Sequence, residues 1–255
     1  MKRNLSLAQA FFKDGEFELT SSEAGWLFEF GLRRGSLVSV EGADGRWFRG
    51  RVLGCEPGLV RLKIFEEMAR SPESSLELSL LQAVPSRERM ELIIEKAVEL
   101  GVDIIQPIFS ERSYKLSDFA QPKWRRWQER ALRAAVQCRR GMVPGVLEPR
   151  PLRVSALSFR DVGLKLVFYE GECEHGLLEV LEGHRGVSSC ALVSGPEGGF
   201  SEGEIDWLKG EGFIPVSLGG RILRAETSAI VGTGLVQFYL GDLGGGRSKV
   251  GESSA

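Results

Sequence analysis

The sequence predicts an α/β protein, a small β-rich unit followed by a larger unit on a mostly parallel sheet. Three observations carry this. The first 70 residues hold short strand-type runs separated by turn signals. From Leu76 onward strand-type runs alternate with helical patterns, the arrangement that builds parallel sheets. Two glycine-rich segments, Ser194–Phe200 and Leu218–Arg224, each follow an apolar run and precede a helical pattern. Glycine permits positive φ and close backbone approach to a ligand, and open α/β sheets bind ligands outside the carboxyl ends of their strands. These two turns are therefore candidate ligand cradles, or else ordinary βα turns.

In the first unit, strands are expected over Leu37–Val40, Arg46–Leu53 and Leu59–Phe65. The turns between them are Glu41-Gly42-Ala43-Asp44-Gly45 and Glu56-Pro57-Gly58. Val60, Leu62 and Ile64 alternate with Arg61 and Lys63, as in a half-buried antiparallel strand. A short helix is expected over Ser21–Phe30. Ser71-Pro72-Glu73-Ser74-Ser75 reads as a linker, which places the units at 1–71 and 72–243, and 244–255 reads as a flexible tail.

In the second unit, Leu76–Val84 reads as a strand and Ser86–Leu100 as a helix that buries Met90, Ile93, Ile94, Ala97 and Val98. Glu91, Glu95 and Glu99 fall on another face, a solvated or subunit-facing surface rather than a catalytic set. Gly101 stands where a glycine ends a helix. Ile104–Phe109 is the next strand. Pro122–Arg140 is a long helix with Arg126, Arg130, Arg133, Gln137 and Arg140 on one face and Trp127, Ala131, Ala134 and Cys138 on another. Strands follow at Leu164–Tyr169, Ala191–Ser194 and Phe213–Leu218. Ser201 and Glu204 form a capping box for a helix to Lys209, and Glu226–Leu240 is the last helix.

Composition excludes several classes. The N-terminus lacks a signal-peptide core and no apolar run reaches spanning length, so a cytoplasmic protein without a membrane is expected. Cys55, Cys138, Cys173 and Cys190 form no CxxC pair, so reduced thiols and no metal site are expected. Walker A, Rossmann GxGxxG and GxSxG motifs are missing from the expected contexts. Net charge is −2, yet residues 121–153 hold nine Lys or Arg against Glu129 and Glu148. Such a stripe can meet RNA phosphates, or pair with acidic neighbours.

Gly195-Pro196-Glu197-Gly198-Gly199-Phe200-Ser201 and Leu218-Gly219-Gly220-Arg221-Ile222-Leu223-Arg224-Ala225-Glu226-Thr227 together resemble the signature pair of the RsmE family, bacterial 16S rRNA uridine N3-methyltransferases of the SPOUT (trefoil-knot) class. Glu88 to Glu91, Lys96 to Val102, Ser110-Glu111-Arg112-Ser113 and the Leu32-Arg33-Arg34-Gly35 turn resemble the family too. At the end of the long helix the family's glutamate is Val136 and its usual glycine is Arg139.

The resemblance implies a PUA-like RNA-binding barrel before a knotted methyltransferase domain, S-adenosylmethionine (SAM) as cofactor, 16S rRNA in the small ribosomal subunit as substrate, and a homodimer. It implies a cofactor shell of Leu192, Gly195, Glu197, Gly198, Leu218, Gly220 and Leu223, and RNA contacts from Arg33, Arg34, Arg112, Arg126, Arg130, Arg133 and Arg140. Uracil N3 must lose a proton as charge spreads to O2 and O4, so Arg221 and Arg224 are candidates to hold those oxygens. Arg224 is alternatively a partner of Glu226, and Arg221 a cofactor or interface contact. Glu226 or Glu197 is a candidate base, or a backbone cap. Two further readings stand beside this one. A ribose 2′-O-methyltransferase of the same fold usually has a different final loop from Ile222–Ser228. A non-catalytic assembly module fits the altered Val136 but not the intact glycine motifs.

Overall fold

Alternation and periodicity become strands and helices in the computed structural model, which describes residues 3–4, 10–20, 32–115, 124–171 and 173–244. The helix expected at Ser21–Phe30 and the tail beyond residue 244 lie outside the described residues. Contacts divide the chain into two units: Met1–Glu73 with Leu132–Pro144, and Ser74–Ala131 with Gly145–Ala255. The segment Leu132–Pro144 thus groups with the N-terminal residues, which a single boundary after residue 71 does not anticipate.

The first unit holds β1 (Arg3–Asn4), β2 (Glu16–Thr20), β3 (Leu37–Glu41), β4 (Trp47–Glu56), β5 (Leu59–Met68) and β8 (Met142–Val143). The strands β2-β5-β4-β3 form an antiparallel sheet, and β1 pairs with β8. Val60, Leu62 and Ile64 are fully buried while Arg61 and Lys63 face water, the expected alternation. They pack with Phe11, Leu19, Val40 and Phe48 into one core. Register shifts at Arg49/Gly50 and Val52/Gly54 bend β4.

Glu73 and Arg140 form a buried pair in this unit, 2.6 Å apart with side chains 8% and 5% exposed. The amides of Gly141 and Met142 also donate to Glu73. Burial pushes the Glu73 carboxyl above its usual value, against the pull of Arg140.

The second unit carries an all-parallel sheet in the order β10 (Arg150–Pro151), β7 (Ile104–Phe109), β6 (Glu77–Ala83), β13 (Ser189–Ser194), β11 (Leu164–Phe168), β14 (Ile214–Ser217), β12 (His175–Gly176), with β9 (Gly145–Val146) also on β7. β6 and β13 are buried almost end to end, the pattern of a central strand covered on both faces. Helices α1 (Arg87–Glu99), α3 (Leu152–Leu157), α4 (Leu177–Gly183), α5 (Glu202–Gly210) and α6 (Ala225–Leu240) belong to this unit, while α2 (Trp124–Cys138) runs through the division.

Helix α1 buries the five apolar residues expected of it. Gly101, at φ +83°, ends it, with bonds from Gly101 N to Val98 O and from Val102 N to Ala97 O. Helix α1 packs against α6. There the buried Gln237 donates to Gly101 O and accepts from Ser74 Oγ. Helix α2 ends by the same motif, with Arg139 at φ +62° where glycine is usual, Arg139 N on Val136 O and Arg140 N on Ala135 O. No helix among the described residues is long and apolar enough to cross a membrane.

Candidate active site

Strands β13, β11 and β14 are neighbours and run parallel, so the segments leaving their carboxyl ends converge. They enclose a cavity of about 410 Å³, a size suited to a nucleoside-sized ligand. Phe168, Tyr169 and Glu170 enter from β11. Ser194 to Glu197, Gly199 and Phe200 enter from β13, and Ser217 to Ala225 from β14. Arg89 of α1 and Ser228 of α6 complete the lining.

The glycines here serve different needs. Gly199 and Gly219 adopt φ of +66° and +108°, which turn the chain away from each strand. Gly220 has an ordinary φ and a Cβ there would meet nothing within 4 Å, so neither strain nor packing asks for glycine. What a side chain at Gly220 would fill is space beside the cavity it lines.

A second layer holds the first loop. The Glu204 carboxylate, 5% exposed, accepts the amide of Ser201 at 3.0 Å and the amide of Glu111 at 2.8 Å, while Ser201 Oγ accepts the amide of Glu204. The capping box therefore also anchors the 110–113 turn. From that turn Arg112 Nη1 donates to the carbonyl of Gly198 at 3.0 Å. Glu197 Oε1 accepts the amide of Ser86 at 3.1 Å and Arg89 Nη1 at 2.9 Å, tying the loop to the start of α1. Arg89 Nε also lies 3.6 Å from Glu226 Oε2, a buried oxygen without a hydrogen-bond partner among the described residues.

Of the expected cofactor shell, Gly195, Glu197, Leu218, Gly220 and Leu223 line the cavity, as do Arg221 and Arg224. Leu192 does not: it is fully buried inside β13, two residues short of the strand's end. Gly198 is turned to Arg112 instead, whose Cβ would lie 3.2 Å from an added Cβ. Glu226 sits in the first turn of α6 beside Arg89, not beside Arg224. Arg89, Phe168, Tyr169 and Glu170 were not among the expected site residues; the strand-type run Leu164–Tyr169 holds two of them and stops just before Glu170, and Arg89 falls in the Glu88–Glu91 stretch.

The expected RNA-facing arginines separate. Arg33, Arg34, Arg126 and Arg133 are exposed. Arg130 is paired with Glu95 at 2.7 Å. Arg112 is exposed but engages Gly198. Arg140 is corrected: it lies beyond α2 and its guanidinium is buried on Glu73, so it presents no charge to an external partner.

A family model described as an RNA methyltransferase domain matches residues 72–237. A protein of Buchnera aphidicola (subsp. Schizaphis graminum), named ribosomal RNA small subunit methyltransferase E, is 31% identical over 199 residues, 77% of this chain and 79% of that one. Among solved structures, ribosomal RNA small subunit methyltransferase E of Neisseria gonorrhoeae bound to SAM is similar, with a TM-score of 0.69 and 27% identity over 94% of this chain and 98% of that one. A Legionella pneumophila protein solved in complex with SAM gives a TM-score of 0.65 and 28% identity over 94% of this chain and 100% of that one.

Proposed function

The chain belongs to the ribosomal RNA small subunit methyltransferase E family, and we propose that it transfers the methyl group of SAM to N3 of one uridine in 16S rRNA of the small ribosomal subunit. The carrying observation is the cavity between the two glycine loops at the ends of β11, β13 and β14. Its residues suit the cofactor. Phe168, Phe200, Leu218 and Leu223 offer apolar surface, the loop backbones offer amides and carbonyls, and Glu170, Arg221 and Arg224 offer charges with no partner among the described residues.

SAM, when bound, supplies an electrophilic methyl, so the protein's task is chiefly alignment. Arg221 and Arg224, exposed on the second loop, would receive the uracil oxygens as N3 gives up its proton. Glu226, not itself a lining residue but paired with the lining Arg89, is the candidate to accept that proton. Gly195, Glu197, Gly198, Leu218, Gly220 and Leu223 make up the cofactor cradle, Glu197 and Gly198 by holding the loop. Arg33, Arg34, Arg112, Arg126, Arg130 and Arg133 are the RNA-facing set, within a PUA-like unit at 1–71 and a methyltransferase unit at 72–243. N3 lies on the pairing edge, so the target base must be unpaired or flipped.

The enzyme would work in the cytoplasm as a homodimer. Val231, Leu235 and Phe238, 41%, 44% and 62% exposed, form an apolar stripe along α6 that a second copy would cover. Light scattering of the purified protein checks this, and a monomer at all concentrations rules it out.

For the reaction, small subunits from a strain lacking the activity are incubated with protein and SAM, and 16S rRNA is read by reverse transcription. One new SAM-dependent stop, identified by mass spectrometry as 3-methyluridine, is expected. Methyl transfer without a stop would refute the N3 assignment.

A further inference from the structure

Five charged side chains line the cavity: Arg89, Glu170, Glu197, Arg221 and Arg224. Two neutralise each other, since Arg89 donates to Glu197 at 2.9 Å. Glu170 has no hydrogen-bond or ion-pair partner among the described residues. It follows β11, the strand lying between the two that feed the glycine loops, so it stands in the middle of the site. Its Oε1 lies 2.9 Å from where a Cβ at Gly199 would stand. The bare glycine of the first loop therefore leaves room for this carboxylate.

We infer that Glu170 is a cofactor-specificity residue, the counter-charge for a cationic centre in the methionyl end of SAM. This rests on the methyltransferase reading above. That end of SAM carries two cations, the α-ammonium and the sulfonium, against one carboxylate. An exposed carboxylate on the cavity wall, uncommitted to any described partner, matches either cation. The field of an exposed carboxylate is screened by water and weakens steeply with distance, so a contact with the neutral adenosine end would gain little from its charge. Glu170 is marked by no glycine motif; it follows the strand that lies between those feeding the two motif loops.

The test is calorimetric binding to the full chain, wild type and Glu170→Gln, with three probes: SAM, S-adenosylhomocysteine and 5′-methylthioadenosine. The first carries both cations, the second only the ammonium, and the third neither. A hydrogen bond or ion pair to a charged group predicts that Glu170→Gln weakens SAM on the order of tenfold. S-adenosylhomocysteine weakening alongside SAM, with 5′-methylthioadenosine unchanged, assigns the ammonium. SAM weakening alone assigns the sulfonium. Equal weakening of all three probes overturns the inference, because the shared part is the adenosine. No change with any probe overturns it as well. Thermal unfolding of the variant guards against a folding defect, and Glu170→Ala must repeat the pattern. A wild type that binds SAM not at all would refute the proposed function itself.

Discussion

Gly232 lies in the middle of α6, and helix propensity alone says that replacing it with alanine stabilises the protein by roughly 0.5–1 kcal/mol. The tertiary structure reverses the sign. A Cβ at Gly232 would fall inside contact distance of Phe168 Cζ, 2.5 Å from Cε2 and 2.9 Å from Cε1. Phe168 is 6% exposed and ends β11, so it has little space to retreat except into the cavity it lines. Overpacking of this kind typically costs about 1–3 kcal/mol. Set against the propensity gain, Gly232→Ala should destabilise by about 0.5–2 kcal/mol and weaken SAM. Gly234 is the internal control. It is in the same helix, but its added Cβ would meet only Leu100, at 3.8 Å, an ordinary contact. Gly234→Ala should therefore stabilise by roughly 0.5–1 kcal/mol and leave SAM binding alone. Urea denaturation with and without SAM reads both. Equal stabilisation by the two substitutions, with unchanged cofactor affinity, would refute the packing of α6 on Phe168.

Arg139 holds a left-handed φ that costs a non-glycine residue roughly 1–2 kcal/mol, so Arg139→Gly should raise stability by about 1 kcal/mol after the entropy cost of glycine, read as a shift in the denaturation midpoint. Glu204→Ala removes the capping box and strands the Glu111 amide. It should cost about 2–4 kcal/mol and loosen the 110–113 turn, seen as faster amide exchange there. Burial pushes the Cys190 thiol up to about 12, so it stays protonated and unreactive between pH 7 and 9, while the exposed Cys55 is labelled; mass spectrometry after brief alkylation of native protein distinguishes them.

Pattern made much of this protein legible in its sequence. The alternation at Val60–Ile64, the apolar face of α1, the glycine after it and the Ser201–Glu204 cap all depend on neighbours a few residues away, and each is where the pattern puts it. The two glycine loops were legible for the same reason, since backbone chemistry is local. Local pattern could not say what each long side chain reaches. Arg140 shares a helical spacing with Arg133, yet one is buried on Glu73 and the other faces water. Nor could it say that β11 lies between β13 and β14, an order that brings Phe168 and Glu170 into the cavity from a segment without a motif. The Glu197–Arg89–Glu226 chain joins residues more than a hundred positions apart. Secondary structure follows from spacing along the chain; strand order and charge pairing follow from contacts across it, and those were decided only when the sheet formed.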